Sequence, residues 1–164
     1  MPDLRVENAY DRISMRLTRE ADRDVLLSWR NNPSVVQFTR SRVAISPEEH
    51  AVWFEKRLKN LVVEPIFIFT LDETPIGMTR LDLLDLKGKG YEVSILVDEL
   101  FQKAGFGKIA LLQTCIFGKN TLSASYIRAE IHNENLASIR LFTKLGFVEK
   151  SKVDDGFSSY DLAG

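Results

Sequence analysis

The fold of this chain is decided by the stretch Gln102-Lys103-Ala104-Gly105-Phe106-Gly107-Lys108. It follows an alternating apolar segment, Tyr91 to Val97, and precedes a long apolar pattern, Ile109 to Phe117, that is typical of a helix. The first amides of a helix lack intrahelical partners and the helix dipole is positive there, so this strand–turn–helix unit favours an anion. Gly105 and Gly107 allow the backbone to approach that anion closely. The stretch predicts a site for a pyrophosphate-bearing cofactor.

Size and composition exclude several classes of protein. The chain has 164 residues, 45% hydrophobic and 27% charged, which predicts one domain over residues 1–164. Its net charge of −1 disfavours a nucleic-acid partner held by bulk positive charge. The one cysteine, Cys115, allows neither an internal disulfide nor a cysteine metal cage, and we expect no metal. No apolar run approaches the roughly 20 residues of a membrane span, and the N-terminus does not resemble a signal peptide. We therefore expect a cytoplasmic protein with no membrane partner.

The remaining patterns predict an order of β-α-α-β-β-β-α-β-α-β-β. Ser46-Pro47-Glu48-Glu49 is a strong helix start, with Ser46 as the cap and Glu49 closing a capping box. The predicted strands are 13–17, 65–71, 76–84, 91–97, 126–131, 147–152 and 157–162. The predicted helices are 22–31, 46–60, 109–117 and 135–145, the last ended by Gly146.

The loop by itself leaves its ligand open. A Walker-type loop needs Gly-x-x-x-x-Gly-Lys followed by Ser or Thr, and here the glycines are two residues apart and Ile109 follows Lys108. A dinucleotide fingerprint needs a third glycine, where this chain has Ala110, and lies near the first strand. Both are disfavoured, and a plain glycine-containing connection is as probable as a phosphate site.

A second segment indicates which ligand the loop binds. Asn135-Leu136-Ala137-Ser138-Ile139-Arg140-Leu141-Phe142-Thr143-Lys144-Leu145-Gly146-Phe147 follows about thirty residues later. With the first stretch it closely resembles the paired motifs of the GCN5-related N-acetyltransferase (GNAT) family, along nearly the whole chain. The resemblance implies an α/β fold of the α+β type, the acyl-CoA N-acyltransferase fold. This fold has a mixed, mostly antiparallel sheet of six to seven strands, a splayed central strand pair and about four helices.

The resemblance also implies a donor site. Acetyl-CoA would be the acetyl donor, with the backbone groups of Leu96 and Val97 pairing with the pantetheine arm beside a bulge in the strand 91–97. Asn135 would contact the arm from the other side. The pyrophosphate would lie on the loop formed by Gln102, Lys103, Ala104, Gly105, Phe106, Gly107 and Lys108.

The reaction needs a base that removes a proton from the attacking amine. Glu92 is the first candidate, on the strand beside the proposed splay; it is equally consistent with an exposed position. His50 is the second, because its pKa suits neutral pH, and Glu130 is the third. The family's usual tyrosine acid is replaced by Phe142, so water, Tyr126 or Tyr160 would protonate the thiolate. Cys115 is expected in the core.

A finer resemblance concerns the acceptor. The segments 27–33, 45–54 and 91–95 look like a subgroup that acetylates 4-amino sugars carried on nucleotides, as in pseudaminic-acid biosynthesis. A similar opening occurs in relatives that acetylate protein N-termini. The acceptor would be a small-molecule amine, nucleotide-linked, with Arg30 or Arg42 holding its diphosphate. The expected acceptor residues are Trp29, Arg30, Asn31, Arg42, His50 and Trp53. The alternatives are core packing for Trp53, capping of their helix for Arg30 and Asn31, and an exposed position without a role for His50.

Three functions remain open from the sequence. The first is an N-acetyltransferase for an amino sugar on a nucleotide, acting by direct attack of the amine. The second is an N-acetyltransferase for a protein N-terminus, and the third is a non-catalytic acyl-CoA binding module. A monomer and a homodimer are both compatible with the sequence.

Overall fold

The computed structural model describes residues 10–163, which form a seven-stranded sheet of order β1-β2-β3-β4-β5-β7-β6. The strands are β1 (Ile13–Leu17), β2 (Ile66–Leu71), β3 (Thr74–Asp85), β4 (Gly90–Val97), β5 (Tyr126–His132), β6 (Val148–Val153) and β7 (Phe157–Ala163). Each predicted strand is present and begins and ends within two residues of its predicted bounds, because apolar alternation and turn residues are local signals.

Five α-helices connect these strands. They are α1 (Arg23–Arg30), α2 (Pro33–Val36), α3 (Pro47–Leu58), α4 (Phe106–Asn120) and α5 (Leu136–Lys144). Short 3-10 turns lie at Tyr10–Arg12, Glu20–Asp22, Glu99–Phe101 and Asp154–Gly156. The single-turn helix α2 was not predicted; there Pro33 begins a helix capped by the Asn32 side chain instead of only ending the preceding one.

Local capping sets the helix ends that the sequence predicted. The Ser46 hydroxyl accepts a hydrogen bond from the backbone N–H of Glu49 at the start of α3. The side chain of Asn135 caps α5 in the same way through the N–H of Ser138. Gly146 follows α5 with a φ of +97°, the left-handed conformation that ends a helix.

The centre of the sheet is splayed. β1 to β4 are antiparallel, as are β5, β7 and β6, whereas β4 and β5 are parallel and pair only from Gly90–Tyr126 to Glu92–Arg128. Beyond Glu92, β4 pairs with β3 alone. The expected bulge in β4 is absent from its pairing with β3, which is regular from Tyr91 to Val97; the register shift lies on the β3 side, between Leu83 and Asp85.

The two faces of the sheet are covered by different helices. On the face called here the front face, Leu26 and Trp29 of α1 and Phe54 of α3 pack on Ile66, Ile68 and Met78. On the back face, α4 and α5 pack on the apolar residues of β2 to β5 and β7. Val93 of β4 is in the back core and Leu96 packs against the front core, so alternation places Glu92 and Ser94 on the front face. The splayed, mixed seven-stranded sheet with helices on both faces matches the architecture expected from the sequence.

Candidate active site

The splay leaves a cleft between the second half of β4 and β5. In a strand, the backbone groups of successive residues point to alternate edges. The Leu96 carbonyl points toward β3, where a Cβ on Gly77 would lie 2.6 Å from its oxygen. The Val97 carbonyl points the other way and accepts a hydrogen bond of 3.0 Å from the Gln102 side chain. Ile95 shares the orientation of Val97. The edge facing the cleft is therefore formed by Ile95 and Val97, and the expected contribution of the Leu96 backbone does not match its orientation.

The loop at the end of this cleft leads directly into α4. Gly105 is the N-cap residue with a φ of +85°, and Lys103 also has a left-handed φ of +65°. Within residues 10–163, no side chain caps the first turn of α4. Its first amides are therefore free to bind an anion, as the sequence predicted for a phosphate site. The side chains of Lys103 and Lys108 are exposed and add positive charge.

Gly107 lies in the first turn of α4, against β4 and α5. A Cβ at this position would lie 3.5 Å from Val97, 3.8 Å from Ile95 and 3.4 Å from Leu141 of α5. A methyl group therefore fits here, whereas a larger side chain would displace the side chains of β4 and α5 beside the splay. Phe106, by contrast, is buried in the back core, so that only its backbone is available to a ligand.

Glu92 lies on the front face at the last residue pair before the strands diverge. Its pKa is raised, first because burial penalises the charged carboxylate and then because Glu130 and Asp82 lie near it. Arg80 and Arg40 lower the pKa, but they do not cancel the increase. Within the described part of the chain Glu92 has no ion-pair partner, so its carboxylate remains free to accept a proton.

A cleft of about 670 Å³ opens between the α2–α3 connection, the end of β5 and the β6–β7 turn. Its link to Glu92 is Arg40, which lines the cleft and whose charge acts on the Glu92 carboxylate. Arg40 forms an ion pair with Glu130 and lies 4.6 Å from the ring centre of Phe157. Nη2 of Arg42 lies 3.0 Å from Nε2 of His132, and the backbone N of Glu134 lies 3.2 Å from Nδ1 of the same ring. Both ring nitrogens of His132 therefore face protein donors. The cleft is lined by Arg40, Arg42, His132, Asn133, Glu134, Asp155 and Gly156.

Two of the predicted acceptor residues are occupied by structural contacts. Trp29 is 6% exposed, and its indole N–H donates to Asp98, so neither face of its ring is open for stacking. The Asn31 side chain both donates to the carbonyl and accepts from the N–H of Ile45, each at 2.8 Å. Asn31 thereby anchors the segment that carries Arg40 and Arg42.

His50 and Trp53 lie on α3. His50 is 4% exposed and stacks on Phe54, and burial together with Arg23 lowers its pKa. It lines a separate groove between α1 and α3, not the cleft of about 670 Å³. Trp53 is half-buried, and its ring centre lies 5.6 Å from the guanidinium carbon of Arg80 on the front face. The structure therefore places Trp53 beside Arg80 on the front face. It places His50 in the groove between α1 and α3.

The residues considered for covalent or acid roles lie in the core. Cys115 is buried, and burial raises the pKa of its thiol to about 12. Phe142 packs edge-on against Phe147 in the back core, 5.0 Å between ring centres. Tyr160 is buried on the back face, and Tyr126 lies against Gly90 at the paired end of β4. Of the three proton donors considered for the thiolate, which are water, Tyr126 and Tyr160, water therefore remains.

Between residues 10 and 163, no group of three or more His, Cys, Asp or Glu side chains is arranged to hold a metal ion. Over the same range, no helix is both long and apolar enough to cross a bilayer.

Comparison with known families agrees with this geometry. Residues 12–148 match the sequence model of the family described as Acetyltransferase (GNAT) domain. The chain belongs to the GNAT acetyltransferase family. It is accordingly an acetyl-CoA-dependent N-acetyltransferase domain, and the donor predicted from the two motifs is confirmed.

Individual relatives are distant. An uncharacterised protein of Methanocaldococcus jannaschii is 26% identical over 145 residues, which are 86% of this chain and 29% of that protein. The chain thus spans less than a third of that relative. The structure of a Vibrio cholerae spermidine N-acetyltransferase with CoA and spermine has 17% identity and a TM-score of 0.84, covering 93% of this chain and 96% of that one. A Brucella melitensis ribosomal-protein-alanine N-acetyltransferase has 19% identity and a TM-score of 0.77, covering 92% and 99%. These solved structures share the GNAT fold with the chain.

Several residues of this site were not predicted from the sequence. Arg80 lies within a strand, and only its front-face register brings it near Glu92. Arg40 reaches Glu130 from 90 residues away in the sequence. His132 lies just beyond the predicted strand 126–131, yet it is the buried last residue of β5. No local pattern marks any of them, since each is placed by a contact between distant segments.

Proposed function

We propose that this GNAT domain transfers the acetyl group of acetyl-CoA to the amine of an amino sugar carried on a nucleotide. The observation that carries this proposal is the cleft of about 670 Å³ bordered by Arg40 and Arg42, the first of which acts electrostatically on Glu92. Its volume is in the range of pockets for ligands of this size, roughly 300–1,000 Å³. The side-chain amide of Asn133 adds a group that hydrogen-bonds to sugar and ribose hydroxyls.

The donor binds along the splay in this proposal. The pantetheine arm lies along the cleft-facing edge of β4, where Ile95 and Val97 present their backbone groups, and Asn135 lies on the opposite side. The pyrophosphate rests on the first amides of α4, with the loop Gln102–Lys108 around it. The free amides of α4 support this placement, as does the position of Gly107.

The chemistry is direct attack. The neutral amine nitrogen forms a bond to the thioester carbon, and the carbon–sulfur bond then breaks to release the CoA thiolate. Glu92 accepts the proton of the amine through a water molecule, and a second water protonates the thiolate. The raised pKa of Glu92 supports this role, because a base works best when its pKa approaches the working pH. Glu130 is less suited because it already forms an ion pair with Arg40.

A second candidate acceptor is a protein N-terminus. It is favoured by Glu134 and Asp155, whose carboxylates line the same cleft and would attract a cationic chain end. A solved structure with the same fold is a ribosomal-protein-alanine N-acetyltransferase.

A thiol-release assay separates the candidates. The protein is given acetyl-CoA with UDP-linked 4-amino sugars, with peptides that have a free N-terminal alanine or serine, and with spermidine. Turnover of a UDP-linked amino sugar, at a kcat/KM at least tenfold above the other amines, is expected. Preference for the peptides would replace this acceptor by the second candidate, and preference for spermidine would contradict both.

A further inference from the structure

Arg30 of α1 carries a charge that the described protein leaves unbalanced. Its side chain is only partly exposed, and its Nη1 atom is fully buried without a hydrogen-bond partner in residues 10–163. No carboxylate in that range lies within ion-pairing distance. Burial and the nearby charge of Arg80 both lower the pKa of Arg30. Because a buried, unpaired guanidinium is unfavourable, an anionic ligand would satisfy this group.

Arg80 of β3 lies on the front face that α1 covers through Trp29, and its charge acts on Arg30. The Nε atom of Arg80 is buried and makes no hydrogen bond to the described residues. Its guanidinium carbon lies 5.6 Å from the ring centre of Trp53, and Nε lies 3.1 Å from a carboxylate oxygen of Asp82. Its two Nη atoms make no hydrogen bond to the described residues. Asp82 also pairs with Arg57, so this one carboxylate is shared by two arginines while Arg30 has none. The local charge is therefore positive, and the Nη atoms of Arg80 are available to a ligand.

The other front-face arginines are already engaged. Arg40 pairs with Glu130 and packs on Phe157, and Arg42 contacts His132. They are therefore less able than Arg30 to gain from a new anionic partner.

From these contacts we propose that Arg30 and Arg80 together form a subsite for an oxyanion of the acceptor, a phosphate or a carboxylate. The inference rests on the proposed acetyl transfer and specifies which part of the acceptor is recognised. Arg80 is paired with Ser94, whose neighbour on the same face is Glu92. Diagonal neighbours on paired strands are about 7–8 Å apart. The oxyanion is thus held about one sugar ring away from the amine that Glu92 deprotonates, and polyamines, which carry no oxyanion, are rejected.

The test measures binding without catalysis. The full chain is first saturated with CoA, so that the loop before α4 is filled, and is then titrated calorimetrically with inorganic pyrophosphate and, separately, with malonate. We expect one of these anions to bind, and Arg30→Met and Arg80→Met each to weaken its binding at least tenfold. Arg140→Met, which removes an exposed arginine of α5, is the matched control and should leave binding unchanged. Pyrophosphate binding would identify a phosphate subsite and malonate binding a carboxylate subsite.

Three outcomes would overturn the subsite: no binding of either anion, unchanged binding in both variants, or a loss caused by Arg42→Met instead. Thermal unfolding is the second measurement. Because Arg30 has no ion-pair partner within residues 10–163, Arg30→Met should not lower Tm, whereas a drop of several degrees would indicate a structural role. Turnover of UDP-linked amino sugars by an Arg30→Met protein with wild-type KM would reject the subsite and keep the proposed function. Turnover of a different anionic amine that is lost in Arg30→Met and Arg80→Met would keep the subsite and reject the proposed function.

Discussion

The indole N–H of Trp29 donates a hydrogen bond of 2.8 Å to the carboxylate of Asp98. This contact joins α1, which carries Arg30, to the residue that follows β4. The other carboxylate oxygen of Asp98 accepts from the N–H of Leu100 in the connection to α4. One aspartate thus holds α1 to the start of the segment that leads into the Gln102–Lys108 loop, although Trp29 and Asp98 are 69 residues apart in the sequence.

Replacing Trp29 by Phe should destabilise the fold by about 2 kcal/mol. The change removes a hydrogen bond to a charged group, worth roughly 1.5–3 kcal/mol, and leaves the Asp98 oxygen without its donor. Denaturant unfolding measures the loss. Trp53→Phe is the matched control, since the described residues give its indole N–H no acceptor, and it should cost clearly less. Equal losses in the two proteins would mean that ring volume, not the hydrogen bond, is what matters.

Gly107→Trp should weaken acetyl-CoA binding about a hundredfold, which corresponds to about 2.7 kcal/mol. The indole would project between Val97, Ile95 and Leu141, into the space proposed for the pantetheine arm. Gly107→Ala is the control, because its methyl would make contacts of 3.4 Å or longer and should change the Kd by less than about threefold. Calorimetry measures both, with circular dichroism to check folding. Wild-type affinity in a folded Gly107→Trp protein would move the donor site away from this cleft.

Glu92→Gln should lower kcat by about 10²- to 10⁴-fold, the usual contribution of a general base, with little change in the Kd for acetyl-CoA. The acid limb of the pH–kcat profile should also vanish. In the wild-type protein this limb should lie above the ordinary glutamate pKa of 4.5, because the Glu92 pKa is raised and only the ionised carboxylate accepts a proton. Glu55→Gln, an exposed change on α3, serves as the control. A wild-type profile in Glu92→Gln would remove it as the base.

Glu130→Gln should keep most of the activity and move the acid limb to lower pH. The negative charge of Glu130 raises the Glu92 pKa, and its ion pair occupies Arg40, whose charge lowers that pKa. Both effects of the substitution therefore lower the Glu92 pKa, so Glu92 stays ionised in more acidic solution. The limb is measured from kcat between pH 4 and 9 in constant ionic strength. A collapse of kcat at all pH values would instead make Glu130 the base.

Many features of the fold were readable from the sequence because they depend on neighbouring residues. The Ser46 cap, the left-handed Gly146 and the strand alternation of Tyr91 to Val97 each need only a few adjacent side chains. The free amides after Gly105 also depend only on neighbouring residues. The pair of motifs in the loop and in α5 therefore identified the donor and the family before any contact was known.

The proposed acceptor site could not be predicted in this way, because its residues meet only through tertiary contacts. Trp29 and Asn31 matched a substrate pattern in the sequence, yet their hydrogen bonds go to Asp98 and Ile45, which are distant in the chain. Arg80 acquired a place in the site only through the register of β3 with β4.

By itself, the sequence determined the order of the strands along the chain, most of the helices and the donor loop, since turn chemistry and periodicity are encoded within a few residues. Only the tertiary structure decided which edge of β4 faces the cleft, and which arginines remain unpaired around Glu92. Those properties depend on strand register and on the burial of charges, and both are set by the packing of segments far apart in the chain.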